Sequence, residues 1–423
     1  MLQSRVLPLE PRPLVLAKAL AHRPSAFLLW DGTGRSPSYL GCDPIATSDR
    51  LDPEPGATPL ERGDLGRAPR WVGMLPYEAT RHLEVQGSRP LRDTRAEPHL
   101  SAYRWWRFGA VAEVTDSVRV IGDEPGCISD LCRLLRGSGT WETPSMAFLG
   151  SPEPATVHEQ RIRCALEAIA AGQIYQVNLA RRFRLSVAGH PMALLASLGQ
   201  RSRFPYGAAL RFDGLDVVST SPELFLETTR AGRVMTRPIK GTRPRGNHAE
   251  RDAMERIELS RSEKEAAELT MILDVERNDL GRVARTGSVR LLQPPEVTTY
   301  PTLHHRAALL GASLRDDCSL EELLKAMLPS GSVTGAPKVR AMQLIAELEA
   351  ERRGLYTGAF GYLSHERELT LAMAIRTLTV RDGEGHYFAG GGIVADSEPR
   401  LELHETAWKA LQLLPSATRR TLL

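Results

Sequence analysis

Pro238-Ile239-Lys240-Gly241-Thr242 sets a lysine beside a glycine where a short β-type run, Arg233 to Thr236, gives way to an irregular turn. A lysine at a strand end with glycine next to it stands where a small molecule approaches the backbone closely. Arg237, Arg243 and Arg245 flank it. Neighbouring positive charge disfavours a protonated ammonium, so the expectation is a free amine able to act as a nucleophile. Glu265 and Glu268 lie three apart, as do Glu402 and Glu405. On helices each pair shares one face, and two such helices facing each other offer an all-oxygen site for a hard divalent cation, most simply Mg²⁺. Solvated glutamates are the plain alternative.

Other residues extend this set. Glycines cluster at 331–335, ahead of a helix start, and at 390–392, and both runs expose backbone N–H groups suited to an anion. Neither run matches a Walker loop or a dinucleotide fingerprint. Arg376 falls inside an apolar, strand-like run, Met373 to Val380. Buried there, it needs an anionic partner, either a substrate carboxylate or a structural salt bridge. His304 and His305 sit in apolar surroundings, as core residues or with one poised for proton transfer.

The elements that must position these groups follow from periodicity and punctuation. Ala26 to Trp30 reads as a strand and Trp71 to Leu75 as a buried one, with a hairpin over 108–121. Residues 52–70 and 85–98 read as surface loops, and the Gly- and Pro-rich stretch 137–155 as an internal boundary. This divides the chain into an N-terminal part, 1–150, and a more regular part, 151–423, as two pieces of one fold. Thr156 to Glu159 forms a capping box for a helix running to Gly172, and Ile174 to Phe183 is a strand carrying Gln176 and Asn178. Strands bracket Ser221-Pro222-Glu223. Residues 249–274 read as one long helix, with Arg277 to Gly281 as its exit. A helix opens at Gly335-Ala336-Pro337 and closes at Gly354; a hairpin spans Leu369 to Ala389, and a last helix covers roughly 399–413. Strands and helices without a strict βαβ rhythm argue for an α+β fold.

Bulk properties narrow the classes. The 54 basic and 51 acidic residues leave a net charge of +3, which argues against a dedicated nucleic-acid binder. The five cysteines show no paired spacing and suit reduced thiols better than disulfides or zinc. No leader-like or membrane-spanning run is read, so no membrane partner is expected and the cytoplasm is the default location.

Taken in order, Ile174 to Leu179, Ser221-Pro222-Glu223, Pro238 to Thr242, Asp274 to Val283, Gly335 to Lys338, Ala374 to Thr377 and Gly391 to Ser397 resemble the motifs of the chorismate-utilising enzymes. The resemblance is strong from about 155 to 412 and weaker before that. It implies two mainly antiparallel sheets packed as a sandwich with helices outside. Two positions discriminate within the family. Gln176 stands where isochorismate and salicylate synthases carry a water-activating lysine. Lys240 stands where anthranilate synthases carry alanine and aminodeoxychorismate synthases a lysine.

The resemblance therefore implies amination of chorismate at C4, for p-aminobenzoate and folate synthesis, through a covalent bond from Lys240 to C2. It implies Glu223 as the acid that protonates the departing hydroxyl, with burial raising its pKa, and His305 as a further active-site residue. Substrate-binding roles are implied for Gln176, Gly241, Thr242, Thr334, Tyr356, Arg376, Gly390, Gly391, Gly392 and Lys409. Glu265, Glu268, Glu402 and Glu405 are implied as ligands of Mg²⁺. Leu224, where arginine is frequent, and Arg306, where an apolar residue is common, depart from the pattern. Nothing in the chain resembles a glutaminase, so ammonia is expected from solution or from a separate glutamine amidotransferase subunit. Anthranilate formation and a non-catalytic chorismate- or tryptophan-binding role are the alternatives.

Overall fold

The computed structural model describes residues 2–56, 64–80, 98–201, 203–301 and 303–411. Among these, two antiparallel sheets dominate, one of 12 strands and one of 10. Both draw strands from early and late in the chain. Ala26–Trp30 pairs with Tyr206–Phe212 in the first sheet, and Pro69–Leu75 pairs with Ala359–Ser364 in the second. The expected α+β sandwich is what forms.

Strand alternation explains the layering. Phe27 points into a core with Val72, Trp106, Phe108, Phe212 and Phe360, contributed by both sheets. Its neighbours Ala26, Leu28 and Trp30 point the other way, into a core covered by the helices Pro125–Leu135 and Pro191–Arg201. On the second sheet Trp105 faces Leu323, Leu324 and Met327 of the helix Leu320–Met327, while Trp106 faces inward. Each large apolar side chain so removed from water contributes about 1.5–3 kcal/mol, which holds both faces of both sheets covered.

Two adjacent chain segments leave one sheet and enter the other. Leu215–Ser221 belongs to the first sheet and Leu224–Thr228 to the second. Beside them Leu369–Met373 lies in the second and Thr377–Arg381 in the first, so the expected single strand from Leu369 to Val380 is broken at 374–376. Arg376, at that break, has a left-handed φ of 51°, uncommon for a non-glycine residue. Ser221 Oγ donates to Met373 O (2.7 Å) and Met373 N to Glu223 O (3.1 Å), tying the crossings together. Glu223 and Arg376 thus both occupy crossing points.

Several expectations are corrected. The helix at 249–274 is two, Ala249–Arg261 and Glu263–Gly281, because Ser262 leaves the helical conformation and its hydroxyl caps the second helix by accepting from Glu265 N. Arg277 to Gly281 are then its last turns rather than an exit. Residues 145–150 form an edge strand on Gln176–Ala188 rather than a plain linker. The helix Ala155–Ala170 starts from Pro154 with no side-chain cap, so the Thr156 capping box is not made. The helix Lys338–Leu348 ends before Gly354, and Gly335–Ala336 bridges to Gln176–Val177. Positions 57–63, 85–97 and 412–413 of the expected loops and last helix lie outside the described residues. Among the described residues no helix is long and apolar enough to cross a membrane.

Candidate active site

Lys240 lies in the strand Ile239–Pro244, not in a turn. Its pairing with Leu303–Ser313 slips between Ile239 and Thr242, a β-bulge that re-aims a side chain. Gly241 completes the bulge at φ 84°, and a Cβ there would meet Leu259 Cδ1 at 2.7 Å and the Glu265 carboxylate at 2.9 Å. The bulge delivers Lys240 Nζ to the strand Glu384–Ile393, which carries the late glycines: a methyl on Gly392 would stand 3.6 Å from Lys240 Nζ and 2.5 Å from Gln176 Nε2. Gln176 is fully buried, and neither of its amide heteroatoms has a partner among the described residues.

The flanking arginines turn away from Lys240. Arg237 donates to Thr298 Oγ1 (2.8 Å) and Tyr300 Oη (3.2 Å), and Arg245 pairs with Asp252 at 2.6 Å. Arg243 donates to Thr242 O and stands 3.6 Å from Glu265. The charges that face Lys240 are instead the carboxylates of Glu223, Glu268 and Glu405. Sequence adjacency misled here because alternate residues of a strand point to opposite faces.

Glu223 is 5% exposed and accepts from Ser332 Oγ at 2.9 Å. Burial pushes its carboxyl up to about 7, against the opposing pull of Ser332, Lys240, Arg376 and the Ile239 backbone. Arg376 is pulled below its ordinary value by burial, with Tyr387 and Glu223 opposing, and its Nη1 has no partner among the described residues. An orphaned guanidinium N–H is a cost that a bound carboxylate would remove.

The two histidines separate. His304 is held between Asp252 (3.0 Å) and Thr299 (2.9 Å), a structural position. His305, 1% exposed, meets Thr242 Oγ1 through Nδ1 at 2.8 Å. Burial, reinforced by Arg376, holds it well below its ordinary value, so the ring is neutral.

The rim is continuous with this centre. Tyr356 is buried, stacks on Phe388 and hydrogen-bonds Asn178; its hydroxyl would stand 2.9 Å from a methyl at Gly390. Lys409 donates to Gly390 O at 2.9 Å and pairs with Glu405 at 2.6 Å. Burial works against its charge, but Glu405 prevails and raises its pKa. Thr334 is fully buried, its hydroxyl donating to Ser330 O.

A methyl at Gly391 would stand 2.9 Å from Glu402 Oε2, and Glu402 also accepts from Ser397. Glu268 is raised by burial and by its neighbours Glu265 and Glu405, and Glu402 by burial and Glu405. Glu405 is lowered: burial acts upward, but Lys409, Lys264 and Lys240 outweigh it. Among the described residues no group of three or more such side chains forms a ready-made metal cluster, and lysines supply the counter-charge. The mutual repulsion of oxygen donors is what a hard divalent cation relieves, so the donor chemistry fits one. Sequence reading missed Ser332 and Lys264. The hydroxyl spacing Ser330-Gly331-Ser332 and the Lys264 position within Glu263-Lys264-Glu265 were the available signals.

A profile described as chorismate binding enzyme matches residues 43–415. The chain belongs to that family. It is similar to aminodeoxychorismate synthase component 1 of Klebsiella aerogenes, 44% identical over 244 residues, 58% of this chain and 54% of that protein. It is equally similar to anthranilate synthase component 1 of Thermus thermophilus, 44% identical over 255 residues, 60% of this chain and 55% of that protein. The matched stretch spans about half the length of both. The crystal structure of anthranilate synthase component I from Streptococcus pneumoniae superposes with a TM-score of 0.77 at 27% identity, over 89% of this chain and 92% of that one. Relatives bearing these two names thus stand at the same identity to this chain.

Proposed function

We propose that this family member converts chorismate and ammonia to 4-amino-4-deoxychorismate. The observation that carries the reading is Lys240, re-aimed at a bulge and facing Glu223, a buried carboxyl raised to about 7. Lys240 attacks C2 of the ring as the free amine, the ring π electrons shift, and the C4–O bond breaks. The proton of Glu223 leaves with that oxygen as water. Ammonia then forms the C4–N bond and the Lys240–C2 bond breaks, returning the amine; the net change is uptake of one ammonia and release of one water, with the positive charge of the new ammonium group matching the proton lost by Glu223. Splitting one allylic substitution into two gives each a positioned nucleophile.

Arg376, with its open Nη1, and Lys409 bind the substrate carboxylates, while Tyr356 and the 390–392 backbone set the ring's edge. Gln176, unable to serve as a base, leaves water unactivated. Glu265, Glu268, Glu402 and Glu405 would hold Mg²⁺, which supplies charge neutralisation for a dianionic substrate beside four carboxylates. The component 1 names of the relatives support a separate amidotransferase subunit as ammonia source.

The second reading is anthranilate formation, favoured by the equal identity to the Thermus enzyme. Incubation with chorismate, Mg²⁺ and ammonium decides between them: 4-amino-4-deoxychorismate is expected, and anthranilate with pyruvate refutes the first reading. Lys240→Ala with unchanged turnover would refute the covalent route.

A further inference from the structure

From Glu223 a line of buried oxygens runs to a second buried carboxyl, Glu276. Ser332 Oγ stands 2.9 Å from Glu223 Oε1, Ser330 Oγ 2.9 Å from Ser332 Oγ, and Glu276 Oε1 2.6 Å from Ser330 Oγ. Exposures of Glu223, Ser332, Ser330 and Glu276 are 5%, 7%, 1% and 1%, so water does not compete for these contacts. The second Glu276 oxygen has no partner among the described residues.

Proton counting makes this more than a packing detail. Three contacts join four oxygens, but two serine hydroxyls bring only two hydrogens. The third hydrogen bond needs a proton from a carboxyl at one end. A fully bonded line therefore holds a proton on Glu223 or on Glu276, and moving each hydrogen one place along it transfers that proton from one glutamate to the other.

We propose that Glu276, acting through Ser330 and Ser332, is the proton reserve that reloads Glu223 after each turnover. This rests on the reading of Glu223 as the acid. When Glu223 has given its proton to the departing oxygen, Ser332 passes its hydrogen to Glu223, Ser330 to Ser332 and Glu276 to Ser330. Glu276 is left ionised, Glu223 neutral, and no electrons change hands. The charges around the two ends favour keeping the resting proton on Glu276, so the reserve is filled before Glu223 draws on it. Lys240 and Arg376 face Glu223 and stabilise its carboxylate; Asp279, one helical turn on, and Glu223 itself disfavour charge on Glu276, while Lys338 opposes them. Accordingly burial and Asp279 push Glu276 up to about 8, above Glu223. Lys338 sits 2.8 Å from Asp279, and both border an open cavity with Asp274, Asn278 and Arg282, where the reserve refills from water. Glu276, Ser330 and Ser332 are positioning residues, since they act through Glu223.

The test compares wild type, Glu276→Gln, Ser332→Ala and Glu223→Gln for chorismate consumption with Mg²⁺ and ammonium across pH 6–9, alongside infrared spectra of the carboxylic C=O stretch. Expected for Glu276→Gln and Ser332→Ala is a fall of about 10- to 100-fold in kcat, with KM for chorismate within about twofold. The descending limb of the pH profile should move to lower pH in Glu276→Gln, and a protonated-carboxyl band present in the wild type at pH 7.5 should vanish. Ser332→Ala leaves Glu276 in place and carries the test if Glu276→Gln does not fold. If Glu223→Gln turns over at the wild-type rate, the acid assignment falls and the relay with it. If Glu223→Gln is inactive while the other two keep the wild-type kcat and pH limb, the relay alone is overturned.

Discussion

Glu276→Gln makes a stability prediction independent of any activity. The carboxyl is 1% exposed and raised to about 8 by burial and by Asp279, with Ser330 and Lys338 opposing. In the fold it stays neutral up to about pH 8, whereas in the unfolded chain it ionises at its ordinary value of 4.5. The folded value is the higher one. The fold's advantage is therefore complete below pH 4.5 and is lost as pH rises towards and through 8. At about 1.4 kcal/mol per pH unit over that interval, the wild type loses on the order of 4 kcal/mol through this one group between pH 4.5 and 8. Glutamine keeps the shape and cannot ionise, so the variant escapes that loss. Urea unfolding followed by circular dichroism at pH 5, 6, 7 and 8 reads the difference. The two proteins should unfold together at pH 5, and by pH 8 the variant's midpoint should lie higher by on the order of 1 M. Midpoints that run parallel from pH 5 to 8 would show that Glu276 carries no proton in the fold, and the charge reasoning around it would be wrong.

Gly241→Ala should cost about 1–2 kcal/mol in denaturant unfolding, because φ of 84° is left-handed and the new methyl meets Leu259 and Glu265. It should also displace Lys240 and lower kcat; an unchanged midpoint would contradict the bulge geometry. Arg353→Ala removes a buried guanidinium bound to Glu349 at 2.6 and 2.8 Å and to Asn178 O at 2.6 Å. Leaving the buried Glu349 carboxylate without its guanidinium, with the Ala180 N–H still donating to it, should cost roughly 3–5 kcal/mol, read as a lowered unfolding midpoint. Chelation of divalent cations should abolish chorismate turnover and added Mg²⁺ restore it, with Glu268→Gln raising the Mg²⁺ needed by at least about tenfold. Full activity after exhaustive chelation would remove the four glutamates from the proposed metal site.

Local signals in the sequence were enough for the strand at Ala26–Trp30, the hairpin at Ala110–Val114 and Val118–Gly122, and the helix start after Pro337, because alternation, turns and proline act over a few residues. Residue types and order likewise marked Lys240, Glu223, Arg376 and the glutamate pairs as groups worth following. Which groups face one another was settled only by pairing over long sequence distances. The arginines beside Lys240 in the chain bind Thr298, Tyr300, Asp252 and Glu265, whereas Glu268 and Glu405, far from it in sequence, share its field. Ser262 splits a stretch that reads as one helix, and the segment from Leu369 to Val380 divides between two sheets at Arg376. At Arg376 the freed backbone groups find distant partners, Thr220 N donating to Arg376 O and Thr357 N to Ala374 O. Ser262 is instead a local cap, whose signal the apolar periodicity around it outweighs in the sequence. The chemistry of each side chain is written in the chain itself. Its protonation and its reach are not, since desolvation and neighbouring charge exist only once distant strands have met.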